Sequence, residues 1–125
     1  MLSTIAVDRR PGSFCFLANV DELTALAEAT VREEEGLSLV VSIDVARDHG
    51  LEPELVMAWL TLRVHSSLES VGLTAAVSRV LAESHIACNM IAGFHHDHLL
   101  VPAESAESAI AAIETLSTRQ GFARS

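Results

Sequence analysis

Residues 59–65, WLTLRVH, alternate strictly between two kinds of position, and this alternation constrains the fold more than any other feature. Positions 60, 62 and 64 are aliphatic, whereas Trp59, Thr61, Arg63 and His65 occupy the positions between them. Because successive side chains of a strand point to opposite faces, the stretch predicts a strand with its aliphatic face toward a core. Trp59 on the other face predicts packing there too, against the first half of the chain or another subunit.

The residues after this strand predict a helix, a hairpin and a second helix. Residues 86–92 and 97–101 are typical of two strands joined at Gly93, and Pro102 leads into the last helix. The apolar stripes of the two helices are Leu73, Ala76, Val77, Val80 and Leu81, and then Ala106, Ala109, Ile110, Ile113 and Leu116. This β-α-β-β-α order predicts an α+β fold of the ferredoxin-like kind, an antiparallel sheet with both helices packed on one face. The polar tail predicts no final strand, so we expect the missing edge strand to come from the first half.

The first half predicts a partial repeat, β-α-β-α. An early strand over residues 2–7 precedes a second over residues 13–20, and Asp21 is expected to cap a helix that ends at the acidic run 33–35 and Gly36. Its apolar stripe would be Leu23, Leu26, Ala27, Thr30 and Val31. Residues 37–41 read as a strand, and Ser42 caps a short helix that Gly50 ends. Residues 51–58, with Pro53, mark an internal boundary between residues 1–57 and residues 58–125.

Charge and hydropathy exclude two classes of partner. The net charge is −9 without any basic cluster, which argues against nucleic acid binding. The sequence contains no run of 18 or more apolar residues, the length needed to span a membrane. The arginines near the N-terminus follow the apolar stretch, which is the wrong order for a secretory signal. We therefore expect a cytoplasmic protein, in which Cys15 and Cys88 are buried free thiols.

The stretch GFHHDHLLV, residues 93–101, carries three of the six histidines of the chain. A right-handed crossover brings the end of strand 59–65 to the same edge of the sheet as this hairpin, so His65 is expected near His96 or His98. At that edge the following helix begins near Gly72, and its free N–H groups suit a carboxylate. Hydroxyls of Ser66, Ser67, Ser70 and Thr74 lie at the same level, and Asp97 and Asn89 could receive an ammonium group. The rim predicts a site for a small zwitterion, a free amino acid.

The run TLRVHSSLESVGLTAAVSRVLAESHIACNMIAGFHHDHLLVP resembles the ACT domain of the aspartokinase type, and in particular small stand-alone bacterial proteins with two ACT-like halves. The likeness is strong over residues 61–116 and weaker over residues 14–50, which would form a degenerate first half of a tandem. It implies a regulatory module that binds an amino acid near a domain or subunit interface, and not an enzyme. It also implies a homodimer, with a separate regulated enzyme as a further partner, and no cofactor.

The resemblance implies ligand contacts in the loop after the first strand and on the second strand. The residues that match are His65, Ser66, Ser67, Leu68, Glu69, Ser70, Val71 and Gly72, with Asn89, Met90, Ile91 and Ala92. The chemistry of the rim adds Thr74, His96 and His98. Ser70 and Val71 stand before Gly72 where the family has a proline–glycine pair, so the carboxylate geometry departs from the family pattern.

Three alternatives stay open at the level of the sequence. The first is a small metal-dependent enzyme that uses His65, His96 and His98, since His96 and His98 can share a strand face while Asp97 cannot join them. The second is nucleophilic catalysis by Ser66 or Ser67 with His65 and Asp97, although no strained nucleophile elbow is present. The third is a structural adaptor dimer that binds nothing.

Overall fold

A computed structural model of the chain describes residues 5–64 and 70–123. Within these ranges seven strands form one antiparallel sheet in the order β3-β4-β2-β5-β7-β6, with β1 paired to β5. The strands are β1 Ile5–Arg9, β2 Phe14–Ala18, β3 Ala29–Glu33, β4 Gly36–Ser42, β5 Met57–Val64, β6 Asn89–Ala92 and β7 Asp97–Pro102. The α-helices are α1 Ile43–Asp48, α2 Ser70–Glu83 and α3 Ala106–Ala123, and short 3-10 helices span Asp21–Leu26 and Ala103–Ser105.

The second unit, β5 to α3, confirms the β-α-β-β-α order. Strand β7 pairs antiparallel with both β5 and β6, so the first and second strands of the unit run the same way and the third returns between them. Leu60 and Leu62 of β5 are buried beneath α2 and α3 together with Leu99 of β7. Trp59 points to the opposite face and is also buried. Strand β5 therefore packs on both faces, with Leu60 and Leu62 against the helices and Trp59 on the opposite side.

The missing edge strand of this unit comes from the first half, as expected. Strand β1 pairs with β5 from Ile5 opposite Val64 to Arg9 opposite Leu60. Helix α3 continues to Ala123, so no strand follows it within the described residues. The Ile5 N–H donates to Ser117 Oγ of α3 over 2.9 Å, which fixes the start of β1 beneath that helix. One edge of the second unit is thus built by residues that precede the first unit.

The predicted helix after Asp21 is wrong. Only a 3-10 helix over Asp21–Leu26 forms, and its cap residue is Val20 rather than Asp21, without a side-chain hydrogen bond. Thr30 and Val31 instead belong to β3, since β-branched side chains favour extended backbone. The acidic run supplies the two-residue turn that joins β3 to β4. The first unit, β2 to α1, therefore has the order β-3-10-β-β-α, the same order as the second unit, and not β-α-β-α.

The end of the first unit follows the prediction. Ser42 caps α1, with its hydroxyl accepting from the Val45 N–H over 3.2 Å. Gly50 has φ +73°, the left-handed conformation expected of a residue that ends a helix. Ile43 and Ala46 of α1 pack with Leu23 of the 3-10 helix against Cys15. This small cluster is the core of the first unit.

The two units meet where β2 and β5 start. Their pairing is a single position, Phe14 opposite Met57, so these residues share one face and Cys15 and Ala58 share the other. All helices accordingly pack on one face of the sheet, as predicted. The opposite, helix-free face carries a separate buried cluster of Phe14, Val40, Met57, Trp59 and Leu100. This cluster, which we call the joint, draws residues from both units.

Across the described residues, no helix is long and apolar enough to cross a membrane.

Candidate functional site

The rim predicted from the sequence lies at one edge of the second unit. Leu62 of β5 pairs with Asp97 at the start of β7, which brings the end of β5 to the same edge as the hairpin between β6 and β7. Helix α2 begins at this edge with Ser70. His65, Ser66, Ser67, Leu68 and Glu69 lie outside the described residues.

The residues of the GFHHDHLLV stretch divide between the two faces of the sheet. Asp97 pairs with Leu62 and therefore faces the helices, whereas His98 pairs with Thr61 on the helix-free face. Arg63 Nη1 lies 3.4 Å from His96 Nε2, so His96 also belongs to the helix-free side. The expectation that His96 and His98 share a face without Asp97 is confirmed. The histidines and the start of α2 consequently share an edge but not a face.

The predicted residues of β6 divide in the same way. Asn89 and Ile91 pair with Leu100 and His98, on the helix-free face, and Ile91 packs against the joint. Met90 and Ala92 pair with Leu99 and Asp97, and Met90 packs against the helix-side core. Ala92 and Asp97 are thus the strand residues at the rim that face the same side as α2.

The first turn of α2 is open toward solvent. Gly72 and Thr74 are exposed, whereas Leu73 between them is buried in the core and anchors the turn. Among the described residues, a Cβ built on Gly72 would meet no atom within 4 Å, so neither their packing nor the backbone conformation requires glycine here. Ser70 and Val71 precede it in the same turn, where backbone N–H groups have no helical acceptor. A ligand group could therefore approach the backbone closely at Gly72.

His98 is held by side chains of β5. The Trp59 indole N–H donates to His98 Nδ1 over 3.2 Å, and Thr61 Oγ1 lies 3.0 Å from the same nitrogen. Burial lowers the pKa of His98, and the positive charges of Arg10 and His96 lower it further, against a smaller opposing effect of Asp97. The lowered pKa and the indole N–H donor both favour the neutral imidazole at neutral pH.

The hairpin tip exposes an aromatic side chain. Phe94 is 98% exposed, and its ring lies 5.0 Å from the ring of His95 in an edge-to-face arrangement. Gly93 closes the hairpin, since its N–H donates to the His96 carbonyl oxygen over 2.9 Å.

The described residues contain no group of three His, Cys, Asp or Glu side chains that could hold a metal ion. His65, the third member of the predicted histidine set, lies outside them.

Two features had no counterpart in the sequence reasoning. Arg10 stacks on the Trp59 ring, with its guanidinium carbon 4.1 Å from the ring centroid, and pairs with Glu28 over 2.7 Å. A cavity of about 320 Å³ lies between the loop around Gly12 and helix α1, and Asp44 and Arg47 line it. The adjacent arginines before Pro11-Gly12 are the only sequence signal for the first feature. The second depends on how distant segments meet, which the sequence pattern does not encode.

The prediction of buried free thiols holds for Cys15, whereas Cys88 is free but less buried than expected. Cys15 is buried and Cys88 is partly buried, and neither forms a disulfide. Burial raises the pKa of both thiols, and for Cys15 the opposing effect of Arg47 is smaller. A thiol with a raised pKa has little thiolate at neutral pH, so neither is an activated nucleophile.

Comparisons with known proteins agree on one family. One family model for the ACT domain matches residues 54–115, and a second ACT domain model matches residues 1–58. A solved structure from Vibrio cholerae, described as a protein of unknown function and possible transport protein, shares 37% identity and a TM-score of 0.82, covering 91% of each chain. A structure from Agrobacterium tumefaciens shares 20% identity and a TM-score of 0.64, over 91% of this chain and 90% of that chain, which shows the common fold. A search of curated proteins finds no match.

Proposed function

The chain belongs to the ACT domain family, with two ACT-type units in tandem, and from this premise we propose that it binds a free amino acid at the rim of the second unit. ACT domains are regulatory modules that bind small molecules. The proposed site lies between the first turn of α2 and the strand residues that face it. In this proposal the protein is a non-catalytic cytoplasmic regulator.

The observation that carries the proposal is the shared face of α2 and Asp97 at one edge of the sheet. Backbone N–H groups in the first turn of α2 suit the α-carboxylate of an amino acid, because they lie at the positive end of a helix of 14 residues. Asp97, half-buried and on the same side, suits the ammonium group. The two opposite charges of a zwitterion thus match two neighbouring elements. The open space over Gly72 leaves room for the ligand backbone.

A thermal-shift screen against the twenty amino acids tests this function. A ligand that binds only the folded state stabilises it by about 2.7 kcal/mol at 100 times its Kd, which raises the Tm by several degrees. Asp97→Asn should abolish most of the shift, because it removes the charge that receives the ammonium group. Asp48→Asn, a matched change on the exposed end of α1, should leave the shift unchanged.

Two results would count against the function. Absence of a shift with all twenty amino acids, for protein shown to be folded, would remove the proposed ligand class. An equal loss of shift in both variants would show that charge in general, and not Asp97, governs binding. Elemental analysis of protein purified without chelator addresses the metal-dependent alternative, which requires close to one metal ion per chain.

Partner proteins enter the proposal because ACT domains are regulatory modules. We propose that a separate enzyme is the regulated partner and that the chain forms a homodimer. Strands β2 and β5 join the two ACT-type units within one chain, so the proposed homodimer would pair two such tandems. Light scattering after size-exclusion chromatography distinguishes a 13.4 kDa monomer from a dimer of twice that mass.

A further inference from the structure

Trp59 occupies the centre of the joint and is only 3% exposed. Its ring contacts Phe14 of the first unit edge-to-face, with ring centroids 5.5 Å apart. Arg10, in the connection between β1 and β2, stacks on the indole and pairs with Glu28, which leads into β3. The indole of the second unit therefore contacts β2 through Phe14 and the β1–β2 connection through Arg10. Through Arg10 it is also linked to Glu28, which precedes β3.

The polar end of Trp59 has one acceptor, His98. An indole N–H can only donate, so the lone pair of His98 Nδ1 must face it, and the ring proton must be on Nε2. The Thr61 hydroxyl, with Oγ1 3.0 Å from the same nitrogen, then shares the single Nδ1 lone pair as a second donor. A protonated imidazole carries hydrogens on both nitrogens and can accept from neither. The arrangement exists only while His98 is neutral.

The charged groups around His98 also disfavour protonation. Arg10 from the β1–β2 connection and His96 from the hairpin lie on the same face, and Arg63 of β5 lies beside His96. The acids of the neighbourhood are engaged or turned away. Glu28 pairs with Arg10, Asp8 pairs with Arg63, and Asp97 faces the helices. On β6, the residue opposite His98 is the apolar Ile91, which offers no compensating charge.

We propose that His98 is a pH-sensitive switch of the contact between the two units. Neutral His98 accepts from Trp59 and keeps the indole against Phe14 and beneath Arg10. Protonation removes the acceptor and places a positive charge near Arg10, so the indole, the cation and the Phe14 contact separate together. This inference concerns the helix-free face and does not depend on the ligand proposed for the opposite face.

The direction of the pH effect follows from the lowered pKa. The unfolded chain, with a histidine pKa of about 6.5, binds the proton more readily than the native state. Stability that depends on neutral His98 is therefore fully present above about pH 6.5 and is lost as the pH falls through the lower native pKa. The joint should loosen on acidification and re-form when the pH is raised.

The chain has a single tryptophan, so its fluorescence reports on the joint directly. We expect the Trp59 emission to shift toward the red as the pH falls from 8 to the lowest pH at which the protein remains folded, reversibly and with a midpoint below 6.5. Circular dichroism at each pH separates loosening of the joint from unfolding. His98→Asn should abolish the transition, because its side-chain oxygen can replace Nδ1 as acceptor and does not titrate. His95→Asn, the same change at an exposed neighbour, should leave it intact.

A flat emission in the wild-type protein over this range, or the same transition in His98→Asn, would overturn the proposal. If His98→Asn does not fold, nitrogen-15 NMR of the wild-type imidazoles decides instead. The Nε2–H tautomer at neutral pH and a His98 pKa below 6.5 support the switch. The Nδ1–H tautomer, or a pKa of 6.5 or higher, excludes it. No amino acid is added, so failure of the ligand screen leaves this result unaffected.

Discussion

At Gly93 the hairpin leaves no room for a side chain beside His96 and His98. A Cβ at this position would lie 2.9 Å from the His96 carbonyl oxygen and 3.2 Å from His98 Nε2. The nearer atom is backbone, so a rotamer change cannot relieve the contact. Gly93→Ala should therefore lower the free energy of unfolding by about 1–3 kcal/mol, as overpacking does elsewhere. Urea denaturation followed by circular dichroism measures the change.

Gly72→Ala is the matched control for Gly93→Ala. Its added Cβ meets no atom within 4 Å, and alanine favours the helix, so stability should stay equal or rise by up to ~1 kcal/mol. The same change should weaken amino-acid binding, because the methyl group occupies the space left open over the helix start. A loss of stability at Gly72 equal to that at Gly93 would contradict the close approach inferred for the hairpin.

The edge strand β1 depends on α3 as well as on β5. Ser117 Oγ accepts from the Ile5 N–H over 2.9 Å and lies 3.3 Å from the Ile5 carbonyl oxygen. Ser117→Ala removes this partly buried link and should cost about 1 kcal/mol. Amide exchange of β1 should rise more than that of β7. Ser78→Ala, an exposed serine of α2 that bonds only within its own helix, should be neutral or slightly stabilising. Equal exchange of β1 in both variants would show that the link to Ser117 is not what holds the strand.

The elements of the second unit were predictable from the sequence because each has a complete pattern. Strand β5 alternates between aliphatic and other residues from Trp59 to Val64, and α2 places Leu73, Val77 and Leu81 on one buried face. The helix expected after Asp21 failed for a physical reason. Residues 23–31 satisfy helical spacing, but only Leu23 of the 3-10 helix is buried, and Val31 is 59% exposed in β3. With so little apolar surface to bury, strand pairing with β4 outweighs the helical pattern.

The candidate site was predictable only to the level of the sheet edge. The alternation rule separated Asp97 from His96 and His98, and the structure bears this out. The contacts that decide what His98 does come from Trp59 and Arg10, which lie 39 and 88 positions away in the sequence. These positions depend on the registers of β7 and β1 against β5, for which hydrophobic periodicity carries no signal.

At the scale of the whole molecule, the two units are arranged symmetrically about the β2–β5 contact. Reading outward, β2, β4 and β3 on one side correspond to β5, β7 and β6 on the other, and the two inner strands run antiparallel. Only one residue pair joins β2 to β5, so backbone hydrogen bonds contribute little to their association. The side chains of the joint, from both units, must therefore supply most of the coupling.

Phe14 tests whether this coupling makes the molecule unfold as one. It is 4% exposed and contacts Trp59, so Phe14→Ala should cost about 3–5 kcal/mol. If the joint couples the units, core amides of α2 and β7 should lose protection from hydrogen exchange as much as those of β4. Phe16→Ala, two positions along the same strand and 46% exposed, should change exchange little in either unit. If Phe14→Ala loses protection only in the first unit and keeps wild-type protection in the second, the units unfold independently. Strand β1, which is paired with β5, would then remain folded with the second unit.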